Sequence, residues 1–212
     1  MSLITSAIGQ GLLWAVLGLG LFLTLRILDF PDMTVEGTFP LGAATAVALI
    51  YRGMKPLLAT LCAFLVGMIA GLITGLLYTK GRIPILLAGI LVMTAAYSVN
   101  LRIMGRANLS LLGKSSLFKN DFLASLPQYF DSVFVGLVII IVVTLLLVFF
   151  LNTNLGQAFI ATGDNPTMAR SIGIKTDRMT IMGLMISTGM IAMGGALVAQ
   201  NNGYADVNMA IG

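Results

Sequence analysis

Residues 132–151, SVFVGLVIIIVVTLLLVFFL, run for 20 residues without a charged side chain. About 20 apolar residues are what an α-helix needs to cross the hydrocarbon core of a bilayer. Residues 4–25, 57–79, 83–101 and 179–199 are likewise free of charge. In lipid the backbone must satisfy its own hydrogen bonds, so such segments are helices rather than open strands. Charged residues make up 9% of the 212, against about 25% in soluble domains. The expectation is an all-α integral membrane protein: a polytopic helical bundle of about six spans in one domain, 1–212.

The segments differ in kind. In 57–79, Gly67, Gly71 and Gly75 recur at a spacing of four. They fall on one helix face, where small residues let a second backbone come close. Residues 179–199 carry Gly183, Ser187, Gly189, Gly194 and Gly195 and read as a second close-packing helix. Gly11, Ala15 and Gly18 suggest a similar face in the first span, where Trp14 reads as a packing residue. Residues 132–151, with Gly136 as the only Gly or Ala, look lipid-facing. In 83–101, Tyr97, Ser98 and Asn100 either line a polar surface or bond a neighbouring helix. The N-terminus, MSLITSAIGQ, has no basic residue ahead of its apolar run, so it reads as a retained span rather than a signal peptide.

The second span is the irregular one. RILDFPDMTVEGTFPLG (26–42) gathers charges, prolines and glycines ahead of a 13-residue apolar run, 38–50. At 1.5 Å per residue that run covers roughly 20 Å, less than the roughly 30 Å of hydrocarbon. A short, broken span lines a path or is buried in protein. Asp29, Pro31, Asp32, Met33, Thr34, Glu36 and Gly37 are therefore translocation-path candidates. An interfacial loop with water-facing acids fits the same residues. The loop 102–131 is basic and then amphipathic, suited to the membrane surface or to a soluble delivery protein.

Between the last two apolar runs lies NTNLGQAFIATGDNPTMARSIGIKTDR, residues 152–178. Asn165 is a good N-cap and Pro166 suits the first helical turn. Gly173 supplies a left-handed stop. Thr176 or Asp177 can begin the next helix, with the Asp177 carboxylate favourable at its positive end. The result is a short helix at 165–173, too short to be stable without something to dock against. It is either a connecting loop or a handle for a soluble partner.

Several functions have no residues to support them. There is no His, and Cys62 is the only cysteine, so no zinc site, disulfide or His-based catalysis is available; no metal or cofactor is expected. No GxxxxGK[ST] loop is present, and no ionisable residue sits in the middle of a clear span, which weighs against a proton relay. Asp29 and Asp32 read as capping or water-facing acids rather than a catalytic pair. The chain is not expected to be an enzyme. The net charge of +4 is ordinary for membrane loops and implies no nucleic acid. Six crossings divide the basic residues evenly. Arg26, Lys80, Arg82, Arg170, Lys175 and Arg178 fall on one side, and Arg52, Lys55, Arg102, Arg106, Lys114 and Lys119 on the other. The positive-inside rule is therefore silent.

Two motifs carry a resemblance to the permease subunits of ATP-binding-cassette importers, in the branch of the branched-chain amino-acid and ribose permeases. LDFPDMTVEGTFPLGAA (28–44) looks like the break after that family's early core helix. The stretch 152–178, followed by GGALVAQNNGYADVNMAIG, is similar to its cytoplasmic coupling segment through Thr153, Gly156, Ala161, Gly163, Asn165, Ala169, Arg170, Gly173 and Ile174. Within the branch the wording is similar to the tryptophan/tyrosine transport permeases. The resemblance implies that Gly163, Asp164, Asn165, Pro166, Thr167, Ala169, Arg170, Gly173 and Ile174 engage a cytoplasmic ATP-binding subunit. It implies an extracytoplasmic solute-binding protein, a second permease subunit in a homodimer, and a bacterial inner-membrane location with the N-terminus outside. It also implies further helices beyond Gly212, so the chain is expected to be shortened at its C-terminus. From the residues alone, an ion-coupled secondary transporter or channel, or a non-transporting scaffold built on the glycine-faced helices, remains a competing reading.

Overall fold

The structure, a computed structural model, describes residues 2–22, 35–52, 56–105, 108–110, 130–202 and 204–206. Its helices are α1 (Ser2–Phe22), α2 (Val35–Tyr51), α3 (Pro56–Thr79), α4 (Ile85–Met104), α5 (Phe130–Leu151), α6 (Asn154–Asp164), α7 (Pro166–Ser171) and α8 (Thr176–Asn202). Two three-residue strands, β1 (Asn108–Ser110) and β2 (Tyr204–Asp206), pair antiparallel, with Leu109 opposite Ala205. This small ribbon rests on α2, and the elements that build the bundle are helices, as expected.

Among the described residues, three helices are long and apolar enough to cross a membrane: Leu58–Thr79, Leu86–Met104 and Thr176–Gln200. A fourth candidate is Gly136–Leu151 joined to Asn154–Asp164, bent by 81° at the break between them. Gln10–Phe22 and Gly37–Tyr51 are apolar but shorter. The described residues thus supply three to four clear spans out of the six expected.

The organising element is α8. It packs on α3, α2 and α1, and from Ser187 to Gln200 every residue except Met193 is buried. Its span is 72% buried, against 39% for α3 and 28% for α4, so α8 and not α3 is the inner helix. Lipid tails are as apolar as leucine, so the hydrophobic effect does little to drive these contacts; close packing and interhelical hydrogen bonds hold them. Thr188 Oγ1 donates to the Gly67 carbonyl at 2.7 Å, Ser187 Oγ to the Gly20 carbonyl at 2.7 Å, and Gln200 Nε2 to Thr60 Oγ1 at 2.7 Å. A Cβ at Gly67 would meet Ala192 and Thr188, one at Gly71 would meet Thr188 and Leu184, and one at Gly75 would lie 3.0 Å from Ile181 Cα. On the α8 side, Gly189 admits the Phe64 ring and Gly195 the Phe39 carbonyl, while Gly194 sits at ordinary distance from Val16 and Leu17.

Helix α2 is enclosed by α3, α4 and α8, and its residues 37–48 are all buried. Gly42 lies directly against the α8 backbone at Ala192. Residues 26–34 of the stretch expected to break the second span lie outside the described residues, and from Val35 onward α2 is continuous. α2 is one helix of 17 residues that carries Pro40 inside it. Proline is tolerated in membrane helices because neighbouring helices and local adjustment re-satisfy the freed carbonyl. At 1.5 Å per residue, α2 covers roughly 25 Å, still short of the hydrocarbon core.

Helix α1 corrects another expectation. Gly11 and Gly18 meet nothing within 4 Å. The contact face instead carries Val16, fully buried, and Gly20, where a Cβ would lie 2.8 Å from Ile191 Cγ1. The three small residues do share a face, but the helix is rotated so that this face looks away from α8. Trp14 stacks on Phe39 with ring centroids 4.8 Å apart, as a packing residue should. Leu145, Leu146 and Phe149 of α5 are exposed, in keeping with a lipid-facing helix.

Among the described residues, one buried polar side chain lacks a partner. Asn100 is 1% exposed, and neither its Oδ1 nor its Nδ2 makes a hydrogen bond, while Tyr97 and Ser98 are exposed. An unsatisfied buried amide costs about 1–3 kcal/mol. Asn100→Leu, close in size, is expected to raise stability by about that amount in thermal unfolding of the detergent-solubilised protein. A loss of stability would show that the amide has a partner.

Candidate functional site

The segment between α5 and α8 is built to be rigid. α5 ends at Leu151, and the chain turns sharply through Asn152 and Thr153 into α6. Thr153 caps α6, its Oγ1 accepting from the Gly156 N–H at 3.1 Å. Gly156 is required at this corner because a Cβ there would overlap the Phe150 carbonyl and crowd Leu151. α6 is amphipathic. Gly156, Phe159 and Thr162 are buried, and Phe159 packs with Leu147 and Met190, edge-on to Phe150 at 6.2 Å. Asn154, Leu155, Gln157 and Asp164 face outward.

Asn165 serves two helices. Its backbone N–H donates to the Ala161 carbonyl and closes α6, while its Oδ1 accepts from the Met168 N–H at 3.0 Å and opens α7. Its extended backbone (φ −152°, ψ 95°) sets the angle between them, and Pro166 fills the first position of α7. The far end closes with the Schellman pattern. Gly173 is left-handed at φ 93°, its N–H donates to the Arg170 carbonyl, and the Ile174 N–H donates to the Ala169 carbonyl at 3.0 Å.

Ala169, fully buried, seats α7. Arg170 ties it to the root of α8, with Nε donating to Thr176 Oγ1 at 2.8 Å and the guanidinium 3.9 Å from the Asp177 carboxylate. That ion pair is solvent-exposed and adds little by itself. Thr176 thus spends its hydroxyl on Arg170, and Asp177 occupies the first turn of α8. The opposite side of α7 is open. Asp164, Pro166, Thr167 and Ser171 are exposed, as are two large apolar residues, Met168 (48%) and Ile172 (66%).

Sequence reasoning singled out the caps but passed over Met168 and Ile172. Their spacing of four was the available signal: it places both on one side of a helix whose seat is Ala169. It also passed over α6 as a helix. Of the path candidates, Asp29, Pro31, Asp32, Met33 and Thr34 lie outside the described residues, as does the side chain of Glu36. Gly37 is buried in α2, where a Cβ would lie 2.8 Å from Met93 Cα of α4; it packs one helix on another. Residues 111–129 of the expected surface loop also fall outside the described residues, while Asn108–Ser110 within it forms β1.

A crevice of about 530 Å³ opens between α3, α5 and α8, lined by Leu61, Phe64, Val142, Phe150, Met190 and Met193 among others. The hydroxyl on its wall, Thr60, accepts from Gln200. Binding sites for small polar solutes carry a few placed polar groups, and this wall offers almost none. The α6–α7 corner is the better functional candidate.

Fold and site together define a multi-helix membrane protein that holds a rigid, twice-capped helix at one end of its bundle. The chain belongs to the family described as branched-chain amino acid transport system / permease component, which matches residues 3–212. It is 42% identical to a tyrosine transport system permease protein of Clostridioides difficile over all 212 residues, which is 69% of that relative. It is 37% identical to an uncharacterized protein of Rickettsia prowazekii, covering the whole chain and 73% of the relative. It is 30% identical to the autoinducer 2 import system permease LsrC of Yersinia enterocolitica over 82% of the chain and 47% of the relative. No solved structure matches. The protein is thus a permease of the ATP-binding-cassette importer class, a multi-pass protein of the bacterial inner membrane.

Proposed function

We propose that this chain is the membrane-spanning subunit through which a separate cytoplasmic ATPase drives solute import. The observation that carries the reading is the α6–α7 corner. A handle must transmit displacement without bending, and this one is capped at both ends, seated by Ala169 and tied by Arg170 to the central helix α8. A push on α7 would therefore reach the helix that packs on α1, α2 and α3. Switching between inward and outward access requires such a two-state element, biased by the motor.

The antiparallel pairing of α1 and α8 supports an N-terminus outside, as six crossings would require. α8 starts beside α7 and ends at the β ribbon, and α1 runs antiparallel to it, with Gly20 beside Ser187 and Val16 beside Gly194. If α7 is cytoplasmic, the start of α1 is external. An extracytoplasmic binding protein delivers the solute, and a second copy of the permease completes the path. The name of the Clostridioides relative supports an aromatic amino acid, tyrosine first, as the solute.

The test is uptake of labelled tyrosine in cells producing the chain with its ATPase and binding protein. Uptake that fails on ATP depletion and survives collapse of ion gradients is the expected outcome. Uptake that follows the ion gradient and ignores ATP would favour a secondary transporter. No flux of any amino acid would favour a scaffold.

A further inference from the structure

Beside the root of α7, a groove of about 330 Å³ is lined by Tyr78, Thr79, Arg82, Ile83, Pro84, Arg170 and Asp177. Two guanidinium groups face one carboxylate there, leaving an excess positive charge. Arg170 is committed through Nε to Thr176, but Arg82 makes no hydrogen bond or ion pair among the described residues. Arg82 is also the one described non-glycine residue with positive φ, at 55°. That conformation is disfavoured for a side chain with a Cβ, and an observed outlier of this kind points toward a role. The turn is held by the Ile83 N–H donating to the Leu77 carbonyl at 3.1 Å.

The groove lies where two membrane helices meet the interface. α3 reaches it at Thr79 and α4 leaves it at Ile85. Ile73 and Leu76, a turn or two back along α3, and Leu86, Leu87 and Ile90 at the start of α4 are exposed apolar residues. An occupant that fits both parts carries an anionic group at one end and hydrocarbon at the other. We propose that the groove binds the phosphate of an anionic phospholipid, held by Arg82 and Arg170, with acyl chains along the exposed faces of α3 and α4. Basic pockets between membrane helices take such headgroups. A zwitterionic lipid would bring its own ammonium beside two guanidiniums, so a glycerol headgroup is favoured. The lipid would then bridge the α3–α4 turn to the coupling helix. Placing it in the inner leaflet rests on the orientation proposed above; the binding itself does not.

The experiment is native mass spectrometry of the full purified chain in detergent with dioleoylphosphatidylglycerol or dioleoylphosphatidylcholine. Arg82→Gly is the informative variant, because glycine accepts the left-handed backbone while the guanidinium is lost; its thermal midpoint should not fall. Wild-type protein should retain phosphatidylglycerol over phosphatidylcholine, and Arg82→Gly should weaken that retention at least about fivefold, the scale of one lost charge-assisted contact. Arg102→Gln, at the exposed end of α4, should leave it unchanged. Equal retention in Arg82→Gly, equal retention of the two lipids, or displacement of the lipid by millimolar inorganic phosphate would each overturn the proposal. So would loss of ATPase-subunit binding in Arg82→Gly with lipid retention intact, which would make the groove a protein-docking surface.

Discussion

Gly42→Ala is expected to be the most damaging single-methyl change in the described residues. The added Cβ would overlap the carbonyl and Cα of Ala192 in α8. These are backbone atoms in the buried stretch of α8, so no side chain can rotate away. Relief requires α2 and α8 to separate, breaking the neighbouring contact in which Gly195 admits the Phe39 carbonyl. Overpacking a well-packed interior costs about 1–3 kcal/mol and occasionally more; a backbone clash belongs at or above the top of that range. Gly18→Ala is the matched control, since Gly18 meets nothing within 4 Å. In a helix that change is expected to stabilise by roughly 0.5–1 kcal/mol. Thermal unfolding of the two variants in one detergent decides the matter. If both behave alike, the close approach of α2 and α8 is wrong.

The second large effect is on coupling. Deleting Asn165–Gly173 is expected to abolish co-purification of the ATPase subunit and ATP-driven uptake together. Deletion also shortens the link between α6 and α8, so a milder change is the sharper test. Met168 and Ile172 are exposed, and replacing both by serine leaves the caps and the Ala169 seat in place. Anchoring apolar residues at the centre of an interface cost about 2–4 kcal/mol when truncated, roughly 30- to 1,000-fold in affinity. Association should fall within that range while thermal stability holds. Unchanged association would remove α7 from the interface.

Local chemistry was legible in the sequence, and rotation and long-range pairing were not. The Asn165 cap, Pro166 and the Gly173 stop depend on dihedrals and on neighbours within one turn, so a linear reading locates them. The repeat Gly67, Gly71, Gly75 fixes a face because its spacing matches the helix period. Gly11, Ala15 and Gly18 share a face too, but nothing in the string says which way α1 turns, and Gly20 carries the contact instead. Gly42 sits in the run LGAATA, where small residues surround it without a period to mark it. α6 was hidden because Gly156, Phe159 and Thr162 make an apolar face out of residues that look mixed in sequence. The β ribbon joins Asn108–Ser110 to Tyr204–Asp206, too far apart for any local pattern to announce. Asn100 reads as a polar helix-end residue until its neighbours enclose it.

Sidedness of α7 is the most direct measurement. With Cys62→Ala as background, Met168→Cys places a thiol on the exposed side of the helix. A membrane-impermeant maleimide should label it in inside-out vesicles and leave it unlabelled in intact cells. Labelling from outside intact cells, or none in either preparation, would contradict a cytoplasmic handle.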